Sequence, residues 1–181
     1  MKKRSRPKVL PKEFYSRNTL KVAQGLLGCF LVRKYRGKIW RGMITETEGY
    51  AGEDDLASHA SRGRTPRTVV MYGEPGRVYV YLIYGMYYNF NVVTEKKDFP
   101  AAVLIRGVKI EGVPEKETNG PGKLCRFLKI DKRLNKWDMA KGEKLWIEER
   151  DPKMKLPKII KSERIGVDYA KHCKEYLWRF Q

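Results

Sequence analysis

The segment Arg77–Val93, RVYVYLIYGMYYNFNVV, decides the fold class. RVYVYLI and YYNFNVV are two short runs of β-branched and aromatic residues, and Gly85 supplies a turn between them, so a β-hairpin is predicted. On its first strand Tyr79 and Tyr81 share one face, with Val80 and Leu82 on the other. Toward the N-terminus, CFLVRKY, a turn at Arg36-Gly37 and KIWRGMI read as a second pair of strands. Toward the C-terminus, AAVLIRGVKI is a third apolar run of strand character. Asn18 is placed to cap a helix whose Leu20, Val22, Ala23, Leu26 and Leu27 form one apolar stripe, ended by Gly28. GPGKLCRFLKI begins like another helix, with Pro121 in its first turn, where a missing backbone N–H costs nothing.

The remainder is less regular. Residues 111–119 are polar and read as a loop, and residues 151–161, rich in Pro and Lys, as an excursion. ERIGVDYAKHCKEYLWRF fits a short helix or a terminal strand equally well. Residues 1–11 carry five Lys/Arg and two Pro and predict a flexible basic arm before one domain over 12–181. Strands that pair locally, with helices at the ends and in the second half, predict a single α+β domain. Its sheet is expected to be curved, mixed but mostly antiparallel, and flanked by helices.

The chain has 181 residues, 41% of them apolar, enough for a packed core without staples. Its 39 Lys and Arg against 21 Asp and Glu leave a net charge of +18. Such an excess points to a polyanionic partner, nucleic acid first and an anionic membrane surface second, with a purely structural basic surface as the plain alternative. No apolar stretch is long enough to span a bilayer. The opening MKKRSRPKVLPKEF has no apolar run behind it and does not read as a secretory signal. Cys29, Cys125 and Cys173 are far apart and, with only His59 and His172, assemble no zinc pattern. A reduced, intracellular protein without a structural metal is expected. Phosphate-loop and dinucleotide fingerprints are absent.

Three local constellations carry chemistry. ITETEGYAGEDDLASHA (44–60) holds five carboxylates and no Lys or Arg. A solvated loop is the plain reading of it. A protein that binds polyanions, however, keeps carboxylates at its binding face only at an electrostatic cost. Activating water, or facing a developing cation, is a reason to do so. Glu46 and Glu48 lie at alternate positions after KIWRGMI and project to the same side if the strand continues; spacing does not choose between them. The second constellation is aromatic: six of the eleven tyrosines fall between Tyr72 and Tyr88. They suit a half-buried sheet face or a platform on which bases stack. Tyr84, at the turn, is placed to act as a wedge in a base stack. The third is SRGRTPR (61–67), whose arginines, Arg64 and Arg67 among them, suit phosphate contact. Acid, wedge and basic loop together suggest an enzyme that acts on a base taken out of a duplex.

ETEGYAGEDDLASH (46–59), RTPR (64–67), PGRVYVYLIYGMYYNFN (75–91), AAVLIRG (101–107), NGPGKLCRFLKI (119–130) and ERIGV (163–167) resemble, in order and spacing, the alkyladenine (3-methyladenine) DNA glycosylases. The resemblance spans roughly residues 12–180. It implies a single mixed α/β domain that flips alkylated or deaminated purines from double-stranded DNA and hydrolyses the N-glycosidic bond. No cofactor and no metal is implied, and the enzyme is expected to act as a monomer. By the same resemblance, Glu48 corresponds to the carboxylate that activates water. Arg106 corresponds to an arginine that helps to position that water and carboxylate, and the backbone near Ile165 to another contact of the water, beside the base pocket. Tyr50, His59 and Tyr81 correspond to the pocket walls, Asn91 to its floor, and Tyr84 to the residue that fills the gap in the duplex. Thr65, Met71, Met86 and Lys123 correspond to positions near the DNA. A departure from the family pattern at Asn89-Phe90 bears on lesion preference rather than on the reaction. The expected location is the cytoplasm with the nucleoid in a prokaryote, or the nucleus in a eukaryote.

Two rival readings differ in kind. A non-catalytic nucleic-acid-binding protein would use the Tyr-rich sheet face as a platform and has no need of the acidic stretch. A bifunctional glycosylase would form a Schiff base through a lysine, yet no Lys lies in the acidic or aromatic blocks.

Overall fold

In the computed structural model, which describes residues 8–155 and 157–181, the two runs of the Arg77–Val93 segment pair as an antiparallel hairpin at one edge of a sheet. In chain order the elements are α1 (Lys12–Tyr15), α2 (Thr19–Leu26), β1 (Phe30–Tyr35), β2 (Lys38–Ala51), β3 (Val78–Ile83), β4 (Tyr87–Val93), β5 (Ala101–Ile110), α3 (Pro121–Phe127), β6 (Leu145–Glu148), β7 (Lys161–Ser162) and β8 (Arg179–Phe180). The strands run β3-β4-β5-β2-β1-β6, and β8 pairs with both β2 and β7. Every ladder among the described residues is antiparallel. With its few helices, the molecule is one α+β domain.

Local chemistry accounts for most of the elements. The Asn18 side chain accepts from Leu20 N and Lys21 N and so caps α2, whose Val22, Ala23 and Leu26 are buried. Arg36 and Gly37 take positive φ between β1 and β2. Pro121 opens α3 at its N-terminal turn. Pleating along β3–β5 then separates two cores. Val78, Val80, Phe90, Val92 and Val103 face the large one, beneath α2 and α3. Tyr79, Val93 and Ala102 face a smaller one with Ala60, Val70 and Met71.

Four findings depart from or extend the expectations. Residues 1–7 of the expected basic arm lie outside the described residues, but Lys8–Pro11 are held against the domain. Leu10 is buried and donates from its backbone N to Ile147 O at 2.8 Å, and Val9 bridges Glu148. Strand β6, where charge masked a short apolar alternation, was not anticipated. The C-terminal end is not an α-helix. It runs through 3-10 turns over Asp168–Glu175, broken at Lys171 (φ 50°), into the two-residue β8. Among the described residues the α-helices therefore sit in the N-terminal end and the second half only. A one-turn helix, α1, also precedes α2 and buries Tyr15.

Candidate active site

The long strand β2 carries both candidate carboxylates, and its pairing with β5 contains two compensating irregularities. Thr45 has no partner on β5 and Arg106 none on β2, while the register on either side is the same. Each extra residue reverses which face the alternating side chains take. Gly42 and Ile44 thus lie on the large-core face, as do Val108 and Ile110 opposite them. Beyond the bulges, Glu46, Glu48 and Tyr50 of β2 and Arg106, Leu104 and Ala102 of β5 turn to the other face. Gly107 permits the close approach there, since a Cβ on it would stand 2.9 Å from Thr45 Oγ1.

Glu48 is 0% exposed. Its Oε1 accepts from the backbone N of Ile165 at 2.8 Å. Its Oε2 accepts from Tyr50 Oη at 2.8 Å and Arg106 Nη1 at 3.3 Å. Glu46 lies on the same face but is taken up by two arginines, accepting from Arg106 Nε at 3.1 Å and Arg179 Nε at 2.5 Å. The two carboxylates are thus held differently. Glu46 anchors Arg106, and Glu48 stands immediately behind a cavity wall that its three donors form.

Ile165 is brought to Glu48 by its neighbour Arg164, which no sequence signal had singled out. Arg164 is buried and forks onto Asp55, Nη1 to Oδ2 at 2.6 Å and Nη2 to Oδ1 at 2.8 Å. The same nitrogens donate to Gly49 O and Cys173 O, each at 3.0 Å. Its guanidinium lies over the rings of Tyr50 and Trp178, 4.8 and 5.0 Å from their centroids. This one cation ties the acidic loop, β2 and the C-terminal segment together.

The cavity in front of Glu48 has a volume of about 380 Å³. Tyr50, His59, Tyr79, Tyr81, Asn91, Ile165 and Tyr169 are among its lining residues, and Tyr84 stands at its mouth. The His59 ring meets Tyr81 edge-on at 4.5 Å, and its Nδ1 lies 2.9 Å from Tyr79 Oη. Burial, reinforced by the charges of Arg67 and Arg62, pushes the His59 pKa down to about 4, so the imidazole is neutral at pH 7. Burial also pushes the Tyr79 phenol up to about 12. Asn89 Nδ2 donates to Tyr81 Oη at 3.2 Å, and Asn91 Nδ2 to Tyr79 O at 3.2 Å. Asn89 and Asn91 therefore fix the tyrosines that make up the wall. The sequence assigns no pocket role to Tyr79 or Tyr169 and marks Asn89 only as a departure from the family pattern; the period-2 alternation with Tyr81 and Asn91 is the available signal for Tyr79 and Asn89.

At the rim, Tyr84 is 82% exposed with φ 51°, next to Gly85 with φ 69°. Met86 N donates to Ile83 O at 3.2 Å across them, and Met86 is 67% exposed. Arg67 is exposed and lies over the Tyr81 ring at 4.9 Å. Arg64 is exposed but held by Asp98 at 2.6 Å. Thr65 N donates to Thr68 Oγ1 at 2.8 Å, which shapes the loop. Lys123 is exposed on the first turn of α3. Met71 differs from its expected place near the DNA. It is 2% exposed and packed in the small core, where it also lines the cavity, because its 3-10 turn presses Val70 and Met71 onto Tyr79 and Ala102.

A stacking platform has no use for a buried carboxylate held behind the wall of an aromatic cavity, an arrangement suited to an enzyme that works on a bound base. The comparisons with known proteins agree with this class. The family model described as methylpurine-DNA glycosylase matches residues 13–181. A protein of Clostridium perfringens named "Putative 3-methyladenine DNA glycosylase" is 42% identical over 94% of this chain and 94% of its own length. Proteins of the same name from Methanocella arvoryzae and Ehrlichia chaffeensis are each 47% identical, over 95% of this chain and 91% and 92% of theirs. The chain belongs to the methylpurine-DNA glycosylase family. It is a DNA glycosylase, an enzyme of DNA repair whose substrate is DNA.

Proposed function

We propose that the enzyme everts alkylated or deaminated purines, of the 3-methyladenine, ethenoadenine and hypoxanthine type, from duplex DNA into the aromatic cavity. There it hydrolyses the N-glycosidic bond with a water activated by Glu48, leaving an abasic site. The observation that carries this reading is the placement of Glu48, buried and held by Tyr50, Arg106 and Ile165 N, directly behind a cavity large enough for a purine.

The reaction follows from these positions. The C1′–N bond breaks with its electron pair leaving on the base, and the sugar gains oxocarbenium character. The negative charge of Glu48 stabilises that cation. A carboxylate offers about four acceptor positions; three are filled here, and the fourth accepts the proton of the attacking water as its oxygen bonds to C1′. Arg106, gripped by Glu46, keeps Glu48 in place. A cationic methylated purine leaves as a neutral base and needs no strong acid. It also stacks on the cavity rings with a cation–π gain of ~0.5–2 kcal/mol, and the neutral His59 does not repel it. Tyr84 fills the gap left in the base stack. No lysine is among the residues lining the cavity, which favours simple hydrolysis without strand cleavage by a Schiff base. The enzyme acts as a monomer in this reading.

A lesion panel with Glu48→Gln tests the proposal. Wild-type protein should release at least one of the three bases from duplex DNA without added metal. Glu48→Gln should lose activity by roughly 10²-fold or more while still binding abasic-site DNA. Equal loss of both would make Glu48 a structural residue. Trapping of a protein–DNA adduct by borohydride would overturn the hydrolytic assignment.

A further inference from the structure

Building on that reading of the aromatic cavity, we propose that a second groove holds the phosphodiester backbone of the strand opposite the lesion. This groove lies on the other face of the β3–β4 hairpin. It has a volume of about 290 Å³ and is walled by Tyr35, Tyr88, Arg126, Lys129 and Arg133. Pleating divides the two concavities. Tyr79, Tyr81, Asn89 and Asn91 line the cavity, whereas Tyr88 lines the groove. Tyr87 and Gly122 border both, so the groove continues from the cavity rim past the turn that carries Tyr84. A nucleotide swung into the cavity leaves its own strand on the cavity side of the hairpin. With Tyr84 in the vacated stack, the complementary strand lies across the tip, on the groove side.

The charges of the groove are arranged for an anion. Its one lining carboxylate, Asp131, is occupied by Arg133, whose Nη2 donates to Oδ2 at 2.6 Å. Arg126 and Lys129 are exposed and pair with no carboxylate among the described residues. The carbonyls at the end of α3 would repel phosphate if they were bare. They are covered instead, because the buried Arg33 donates from Nε to Leu128 O at 3.1 Å and from Nη2 to Lys129 O at 3.0 Å. Two cations are thus left facing outward beside two tyrosines, on the far side of the wedge from the reacting nucleotide.

The test compares wild type with the double variant Arg126→Gln/Lys129→Asn. Asn suits position 129, whose φ is 53°. The probes are a duplex carrying a tetrahydrofuran abasic analogue and the same lesion strand alone, titrated over a range of salt. For the duplex, the variant's plot of log affinity against log salt should be shallower by about 2, close to one unit per lost phosphate contact. Affinity for the single strand should stay within about twofold, and Arg126→Lys/Lys129→Arg should restore the duplex slope. An unchanged duplex slope, or equal weakening on both probes, overturns the proposal; the latter would place the lesion strand in the groove. Melting temperatures identify any variant that fails to fold, in which case Lys129→Asn alone is expected to lower the slope by about 1. Failure of wild type to release any damaged base would instead strike at the function of the cavity, and is read out separately.

Discussion

Arg164 shows how much of the site depends on a single side chain that does not itself line the cavity. It holds Asp55 of the acidic loop, Gly49 O of β2 and Cys173 O of the C-terminal turns, and so fixes the neighbouring Ile165 N on Glu48. Removing one member of a buried ion pair leaves the other charge uncompensated, at about 3–5 kcal/mol. Asp55→Asn is therefore expected to lower stability by about that amount in denaturant titration. Its single-turnover rate of base release should fall further than its affinity for abasic DNA. His59 makes a prediction of opposite origin. The unfolded chain takes up a proton on this histidine near pH 6.5, the folded one only near pH 4. Folded-state stability should decline as pH falls through that interval, by on the order of 2 kcal/mol. His59→Gln, which cannot take up that proton, should show a smaller decline in thermal melts across the same range.

At the scale of elements, the hairpin turn trades stability for exposure of its ring. A tyrosine in the left-handed region costs about 1 kcal/mol relative to glycine, and Tyr84 makes up for it with no burial. Tyr84→Gly should raise the melting temperature by a few degrees, roughly 2–4 °C per kcal/mol at this chain length, while weakening binding to abasic-site DNA. A variant that lost stability instead would show that the ring packs against the domain. The α2 cap is a plainer case: Asn18→Ala should cost about 1 kcal/mol of unfolding free energy. These elements were readable because their signals are local. Alternation, a glycine at a turn, an Asn before an apolar stripe and a proline in a first turn each act within a few residues. Strand β6 and the C-terminal 3-10 turns were not readable, because they take their form from contacts distant in sequence. For β6 these are with β1, and for the C-terminal turns with Asp54 and Ala57.

Over the whole molecule, the net charge of +18 sets the terms of DNA binding. If some six phosphates are contacted, affinity should fall on the order of a thousandfold between 50 and 200 mM salt, as measured by fluorescence anisotropy. A flat salt response would mean that the charge serves something other than the DNA backbone. Composition, strand alternation and the blocks around Glu48, Tyr81 and Tyr84 sufficed to set the class of fold and to suggest an enzyme acting on a base, and the resemblance of those blocks to a family pointed to a DNA glycosylase. Those features are properties of residue type and near spacing, which survive without coordinates. Which carboxylate stands behind the cavity wall was another matter. Ile44, Glu46 and Glu48 have the same parity on β2, and uninterrupted pleating would put all three on one face. Only the paired bulges at Thr45 and Arg106 place Ile44 in the core and the glutamates opposite, and only Arg106 and Arg179 occupy Glu46 while Glu48 is held at the wall. A bulge arises from the fit between two strands some sixty residues apart, and so does the Asp55–Arg164 clamp between two distant segments. Neither leaves a mark within the short span of chain on which local propensity acts.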